Sequence, residues 1–308
     1  MPDTVAHDTI VSGVATPDIV FEAVSFSYAT ADHTSADYAS ADNTDEPTFE
    51  DALDSLSFSV ERGEFVAIIG ANGSGKTTLA RHINALLKPR SGRVLTVGLD
   101  TSDPTNLFQI RSHAGMVFQD PNTQMVTSIV ADDVAFGPEN LNVLPPELHQ
   151  RVDLALAAVS MSEHAESDPS RLSGGERQRV SIAGILAMQP DILILDEPGA
   201  MLDVRGRKAV RRIIEELNAD GMTVVLITHS MEEAAQADRV IVIDRGLVIL
   251  DDKPTTVFSE YQILQSLGLD IPFTAQLSEA LAQRGLKIPR FMANEELKEY
   301  LCAWYSSA

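Results

Sequence analysis

The sequence predicts an α/β fold: a parallel core sheet with helices, a small antiparallel β piece, a helical region and a helical appendage at the end. Three observations predict it. A glycine-rich run, Gly70-Ala71-Asn72-Gly73-Ser74-Gly75-Lys76-Thr77-Thr78, stands between the apolar run Phe65–Ile69 and a helix-like segment, Thr78–Leu87. Two short apolar runs, Asp191–Leu195 and Thr223–Ile227, have the character of strands covered on both faces, as in a parallel sheet. Between them Val210, Ile213, Ile214 and Leu217 recur at helical spacing.

In chain order, residues 1–17 are polar and read as a flexible N-terminus. Ile19–Tyr28 is rich in β-branched and aromatic residues and reads as a strand. Residues 29–50 are rich in Ala, Ser, Thr and Asp with almost no aliphatic side chains, the composition of a disordered acidic insertion. Leu53–Val60 resumes strand character, and Glu61-Arg62-Gly63 turns into the next strand. Two strands ahead of the glycine-rich loop imply the antiparallel piece. Gly92–Val97 and Ala114–Phe118 read as strands, and Gln119-Asp120-Pro121 as a turn. Residues 120–145 read as loop-rich, with a Gly137-Pro138 breaker. Pro145–Met161 reads as a helix. Ser173–Met188 starts as a loop and continues as a helix. Val240–Ile243 and Leu247–Leu250 form a hairpin pattern around Arg245-Gly246. At the end, Leu277, Ala280 and Leu281 make a helical stripe stopped by Gly285. Asn294 is placed to cap a last helix with Leu297, Tyr300, Leu301 and Trp304 on one face.

Bulk properties bound the function. A chain of 308 residues implies one large domain, or one with a small appendage, and 44% apolar residues suffice for a core. A formal charge of −22 repels phosphate backbones and argues against nucleic acid as the main partner. The one cysteine, Cys302, permits no internal disulfide and fits a reducing compartment. The first residues have no basic region before a long apolar run, so no signal peptide is expected. No apolar stretch approaches the roughly 18 residues of a membrane span, so a membrane role must come through a partner.

The chemistry begins at the glycine-rich loop. Its glycines, Gly70, Gly73 and Gly75, allow a tight turn that points N–H groups inward, and the helix start adds its positive dipole end. With Asn72, Ser74 and Thr78 the loop is a candidate phosphate cradle. Lys76 would reach the β- and γ-phosphates, and the Thr77 hydroxyl would ligate Mg²⁺. Asp196-Glu197 ends an apolar strand, where side chains enter the crevice of an open α/β sheet. Asp196 is the candidate Mg²⁺ carboxylate, and Glu197 the candidate base that polarises the attacking water. Ser173-Gly174-Gly175-Glu176 opens another helix and is a second anion-binding start. One lysine loop and two phosphate sites imply two chains sandwiching two nucleotides. An Asp-Glu pair or a Ser-Gly-Gly-Glu helix start is ordinary alone; their order behind Lys76 gives them weight.

At Leu172-Ser-Gly-Gly-Glu-Arg-Gln-Arg179 the chain resembles the nucleotide-binding subunits of ABC transporters, with Glu176 where that family usually has Gln. The resemblance implies a P-loop NTPase fold of ABC ATPase type, binding ATP and Mg²⁺. It implies that Gln119 touches Mg²⁺ and the attacking water, that His229 is the switch histidine at the γ-phosphate, that Asp203 lies at the dimer seam, and that Tyr28 stacks on adenine. Gly199 departs from the Ser or Thr common after Asp-Glu-Pro, which should alter the stiffness of the loop that follows.

The stretches Ser266–Phe273, Arg284-Gly285, Ile288-Pro289 and Asn294–Leu297, with Gly115–Gln119 and Val134–Asn140, are similar to the ATPases of energy-coupling factor and cobalt-type transporters. That likeness implies an ATPase pair, homo- or heterodimeric, on the cytoplasmic face of the membrane. The pair would dock on a membrane coupling subunit through the groove around Gln119–Glu139, and drive uptake of a vitamin or metal ion through a substrate-binding membrane component. The expected division is an ATPase domain over 18–259, with its helical region and signature at about 120–190, and an appendage over 260–308. The ATPase of another ABC transporter, or a soluble ABC ATPase, remains the alternative; a soluble ribosome factor would usually carry two cassettes, and a chromosome-maintenance ATPase a long coiled coil.

Overall fold

The computed structural model describes residues 16–28, 51–285, 288–289 and 294–307. The readings of residues 1–15, of the acidic stretch 29–50 and of the Asn294 cap lie outside the described residues and side chains.

Two sheets carry the body. β1 (Ile19–Phe26) and β2 (Leu53–Val60) pair antiparallel, as their sequence predicts. β3 (Phe65–Ile69) begins the second sheet and runs into the glycine-rich loop, from which α1 (Lys76–Ile83) leaves. β4 (Ser91–Thr96) and β5 (Leu99–Asp100) return to the first sheet, whose order is β2-β1-β4-β5. α2 (Leu107–His113) leads into β6 (Ala114–Val117). α3 (Val130–Asn140), α4 (Pro145–Ala158) and α5 (Gly174–Leu186) pack on one another before β7 (Ile192–Asp196). α6 (Val204–Ala219), β8 (Thr223–Ile227), α7 (Met231–Ala234), β9 (Arg239–Asp244) and β10 (Leu247–Asp252) follow. They complete a six-stranded sheet in the order β10-β9-β3-β8-β7-β6. α8 (Pro254–Val257), α9 (Tyr261–Ser266), α10 (Phe273–Gln283) and α11 (Asn294–Ser307) end the chain. Among the described residues no helix is long and apolar enough to cross a membrane.

In the larger sheet β6, β7, β8, β3 and β9 are mutually parallel, and only β10 runs back, along β9. Arg245 and Gly246 both have positive φ, 47° and 76°, which is what a tight two-residue hairpin turn needs.

The unbroken apolar strands serve two cores at once. Phe65, Ala67 and Ile69 of β3 face one core, and Val66 and Ile68 face the other. The first core gathers α3, α4, α5 and α6 through Val134, Leu156, Val180 and Ile213. The second is roofed by the antiparallel sheet through Ile19, Phe21, Leu53 and Leu56, and by Leu79 and Ile83 of α1. Phe21 and Phe58 stack there with ring centroids 4.7 Å apart. Each such side chain taken fully out of water contributes about 2 kcal/mol. Leu264, Leu269, Ile271 and Ala275 join the first core, so the chain beyond residue 259 packs on its own body at least to α10.

The structure corrects two readings. Residues 120–145 are not mainly loop; they contain α3, with Pro138 inside its last turn. A proline there removes one hydrogen bond and crowds the preceding turn. Val130 and Val134 are fully buried against the helices packed on them, and that burial outweighs the local cost. α2 also lies where the sequence shows no helical pattern. The helix expected to reach Leu87 stops at Ile83, and Ala85 takes a positive φ of 54°.

Candidate functional site

The parallel register builds the site. Ile68 of β3 and Asp196 of β7 both pair with Ile227 of β8, and Val117 of β6 pairs with Leu195. The segments leaving these four neighbouring strands therefore emerge side by side at one edge, where an open α/β sheet forms its crevice. They are the glycine-rich loop, Thr228-His229, Asp196-Glu197 and Phe118-Gln119. A cleft of about 730 Å³ opens there. It is lined by Tyr28, Asn72, Gly73, Gly75, Lys76, Thr77, Thr78, Gln119, Glu197 and His229, and by Asp51 and Ala52.

The loop's shape is set at Gly75. Its φ is 107°, and a Cβ there would stand 2.3 Å from the Ala52 carbonyl oxygen, so only glycine fits. No side chain caps α1, which leaves its first amides for an anion. Lys76, 5% exposed, donates from Nζ to the carbonyls of Gly70 at 2.9 Å and Ala71 at 2.8 Å. Burial lowers its pKa, against the raising effect of Glu197 and Asp196. Ser74 is buried beneath the loop, and neither it nor Gly70 lines the cleft.

Asp196 is 4% exposed and accepts a hydrogen bond at 3.1 Å from the Thr77 hydroxyl. Burial raises its pKa; the Thr77 bond opposes this and the nearby Glu197 charge adds to it. Glu197 stands where the strand breaks off, at a positive φ of 50° that is uncommon for a residue with a side chain. Its amide is held by the Ile227 carbonyl at 2.9 Å. One carboxylate oxygen accepts from Gln119 Nε2 at 3.0 Å, and the other lies 2.5 Å from His229 Nε2. The carboxylate thus hangs between two cleft residues. Among the described residues no group of three or more His, Cys, Asp or Glu is arranged to hold a metal. Of the candidate metal-binding side chains, Thr77 and Gln119 line the cleft, and Asp196 lies behind Thr77, to which it is bonded.

Tyr28 lies at the mouth, its hydroxyl 3.1 Å from Thr78 Oγ1. Its ring meets Phe26 edge-on at 5.0 Å, and Phe26 meets His82 edge-on at 4.9 Å. His82 is fully buried and donates from Nδ1 to the Thr78 carbonyl at 2.7 Å; burial lowers its pKa. Sequence reasoning missed this support under Tyr28, and also Asp51 and Ala52. Phe26 and His82 carry no pattern beyond those of an ordinary strand and helix, and Asp51 only ends a polar stretch.

Ser173, Gly174, Gly175, Glu176 and Asp203 do not line this cleft. Ser173 and Glu176 form a capping box at the start of α5. The Ser173 amide donates to Glu176 Oε2 at 2.7 Å and the Glu176 amide to Ser173 Oγ at 3.4 Å. The Ser173 hydroxyl, which donates to the same Oε2 at 2.7 Å, and the Ser173 amide hold the Glu176 carboxyl below its usual range. Asp203 caps α6, accepting from the Gly206 amide at 2.7 Å. Gly175 and Gly206 pack closely, so the two caps belong to one surface apart from the cleft.

Known proteins resemble the chain over most of its length. The family model described as ABC transporter matches residues 53–200, and that of the energy-coupling factor transporter EcfA1 C-terminal domain matches residues 272–308. The energy-coupling factor transporter ATP-binding protein EcfA1 of Symbiobacterium thermophilum is 49% identical over 295 residues, spanning 95% of this chain and 99% of its own. The EcfA1 of Clostridium perfringens is 49% identical over 262 residues, 84% of this chain and 93% of its own. Among solved structures, cbiO1 of Clostridium perfringens, part of the ABC transporter complex cbiONQ, superposes with a TM-score of 0.67 at 33% identity, over 81% of this chain and 94% of that one. The dimeric ATP-binding cassette MJ0796, bound to ADP and Pi in a post-hydrolysis state, gives a TM-score of 0.66 at 28% identity over 77% and 98%. The chain therefore belongs to the energy-coupling factor transporter ATP-binding proteins of the EcfA1 type, ATPases of the ABC transporter superfamily.

Proposed function

We propose that the cleft binds Mg²⁺–ATP and that Glu197 drives its hydrolysis as general base. The observation that carries this reading is the Glu197 carboxylate, held between Gln119 and His229 at the mouth of the lysine loop. In this reading Lys76 and the first amides of α1 bind the β- and γ-phosphates, and Tyr28 contacts the adenine. Glu197 takes a proton from a water whose oxygen attacks the γ-phosphorus; the bond to the β-phosphate oxygen breaks, and ADP and inorganic phosphate leave. His229 and Gln119 orient Glu197 and the phosphate. Thr77, Asp196 and Gln119 fit Mg²⁺, a hard cation that takes few protein oxygens and completes its shell with phosphate and water. Bound there, Mg²⁺ neutralises charge developing on the phosphates.

We assign the signature residues Ser173–Glu176, with Asp203, to the nucleotide of a second ATPase subunit, since they do not line their own cleft. The membrane partner is assigned to a second groove of about 620 Å³, lined by Leu107, Phe108, Phe118, Phe136, Ile185 and Met188. Phe108 and Phe136 are exposed there, an apolar seat for a partner's helix. The groove is one residue from the site, because Phe118 precedes Gln119 and its amide is held by Gln124 Oε1 at 2.8 Å. In this reading the chain sits on the cytoplasmic face of a membrane. We divide it into an ATPase body over 18–259, with its helical region at about 120–190, and an appendage over 260–308. The cargo, a vitamin or a metal ion, would be selected by another chain.

Affinity purification of the tagged chain from membranes in mild detergent tests the assembly. Recovery of a small membrane coupling protein with a second ATPase of this type is expected. Recovery of ribosomal proteins, or of no membrane protein, would overturn it.

A further inference from the structure

We propose that Glu233 is a positioning residue for hydrolysis, which through Thr228 fixes the loop that carries His229 against Glu197. The inference rests on the roles proposed above for Glu197 and His229. Glu233 lies on α7, four positions beyond His229, and does not line the nucleotide cleft. Its Oε2 is 2.6 Å from Thr228 Oγ1. A carboxylate only accepts, so the Thr228 hydroxyl must donate, and its lone pairs are left to accept. The Ser230 amide donates to them at 3.0 Å. The Glu233 amide donates to Ser230 Oγ at 3.3 Å and closes the ring. The residues on both sides of His229 are thus tied to one carboxylate, which sets the direction of the Thr228 bond, while the amides of Ser230 and Glu233 can only donate.

Thr228 is 3% exposed, so its bond to the carboxylate is shielded from competing water. The His229 side chain is 41% exposed and has little packing to hold it. A separate cavity of about 260 Å³ lies behind, reaching Glu233, Arg207 and Gly199. Glu197 and His229 line both that cavity and the cleft, so the pair forms the wall between them. A wall with space on both sides needs an anchor, and the Thr228–Glu233 bond supplies it. Gly199 makes room for the anchor: a Cβ there would stand 3.0 Å from Glu233 Oε1 and 3.3 Å from Arg207 Cγ. The departure at Gly199 thereby acquires a structural correlate.

The test uses the full-length chain purified with the chains that accompany it, measuring kcat, KM and ATP affinity. Glu233→Ala and Thr228→Val should each lower kcat about tenfold, the rate equivalent of one hydrogen bond's worth of lost positioning. ATP affinity should stay within about twofold, because the lysine loop is untouched. The double variant should be no worse than either single one. Glu233→Gln, which still accepts from Thr228, should recover most of the rate. Thr228→Val keeps the side-chain shape and carries the test if Glu233→Ala does not fold. His229→Ala is the control. If it leaves kcat unchanged, the site reading itself fails. If it lowers kcat while Glu233→Ala and Thr228→Val do not, the positioning role is overturned.

Discussion

Glu197, Lys76 and Asp196 each make a bond whose loss has a distinct signature. In Glu197→Gln the carboxamide can still accept from Gln119 but is no base. ATP binding should persist while turnover falls roughly 10²- to 10⁴-fold, read from nucleotide binding and single-turnover hydrolysis on one preparation. Unchanged turnover would require another base. Lys76→Ala removes the only ammonium lining the cleft among the described residues and should weaken ATP binding itself; tight binding by that variant would undercut the role given to the loop. Asp196 predicts a pH effect. Burial raises its pKa, so on acidification it takes up a proton at a higher pH than an ordinary aspartate. Proton and Mg²⁺ compete for the same oxygens. Mg²⁺-dependent ATP binding should therefore weaken on acidification before metal-free ATP binding does. Titrations with Mg²⁺ and with a chelator, at neutral and mildly acidic pH, compare the two; equal losses would count against Asp196 as a ligand.

At the level of elements, caps and registers carry the function. α5 starts at Ser173 because the Ser173–Glu176 capping box satisfies amides that a helix start leaves open. Ser173→Ala should cost about 1 kcal/mol of stability, visible as a lower urea midpoint, while Glu176→Gln should retain most of it because a carboxamide can still accept. An undiminished midpoint in Ser173→Ala would mean that the box adds nothing to folding. Elements were legible where period and punctuation agreed. Arg245-Gly246 marked its hairpin, and the run Thr223–Ile227 marked a strand that is fully buried on both faces. α3 was not legible, because Gly137-Pro138 argues locally against a helix that is held by distant contacts.

Across the whole molecule, the strands that flank the acidic stretch are joined directly to each other. Phe26 pairs with Leu53, and the Ala52 amide donates to the Phe26 carbonyl at 2.8 Å, so the ends on either side of 29–50 are already joined. Removing residues 31–47 should leave ATP hydrolysis within about twofold of the intact chain; a collapse of activity would show that the stretch is part of the body. The groove beside the site predicts a different loss. Phe108→Asp should deplete membrane partners from the purified assembly while ATP binding by the chain is retained, as the side chain is exposed and lies outside the cleft.

The sequence by itself determined the parallel sheet, the lysine loop with its Asp196-Glu197 partner, and the family, because these rest on local chemistry. Strand burial, tight turns and phosphate cradles need particular residues at fixed spacing. Only the tertiary structure decided that four strand ends meet in one cleft, that Glu197 hangs between Gln119 and His229, and that Phe26 and His82 stand under Tyr28. It also decided that the signature does not line its own cleft and that Glu233 reaches Thr228 in space left by Gly199. Those are contacts between segments far apart in sequence or between side chains whose direction the backbone alone sets, and no spacing along the chain encodes them.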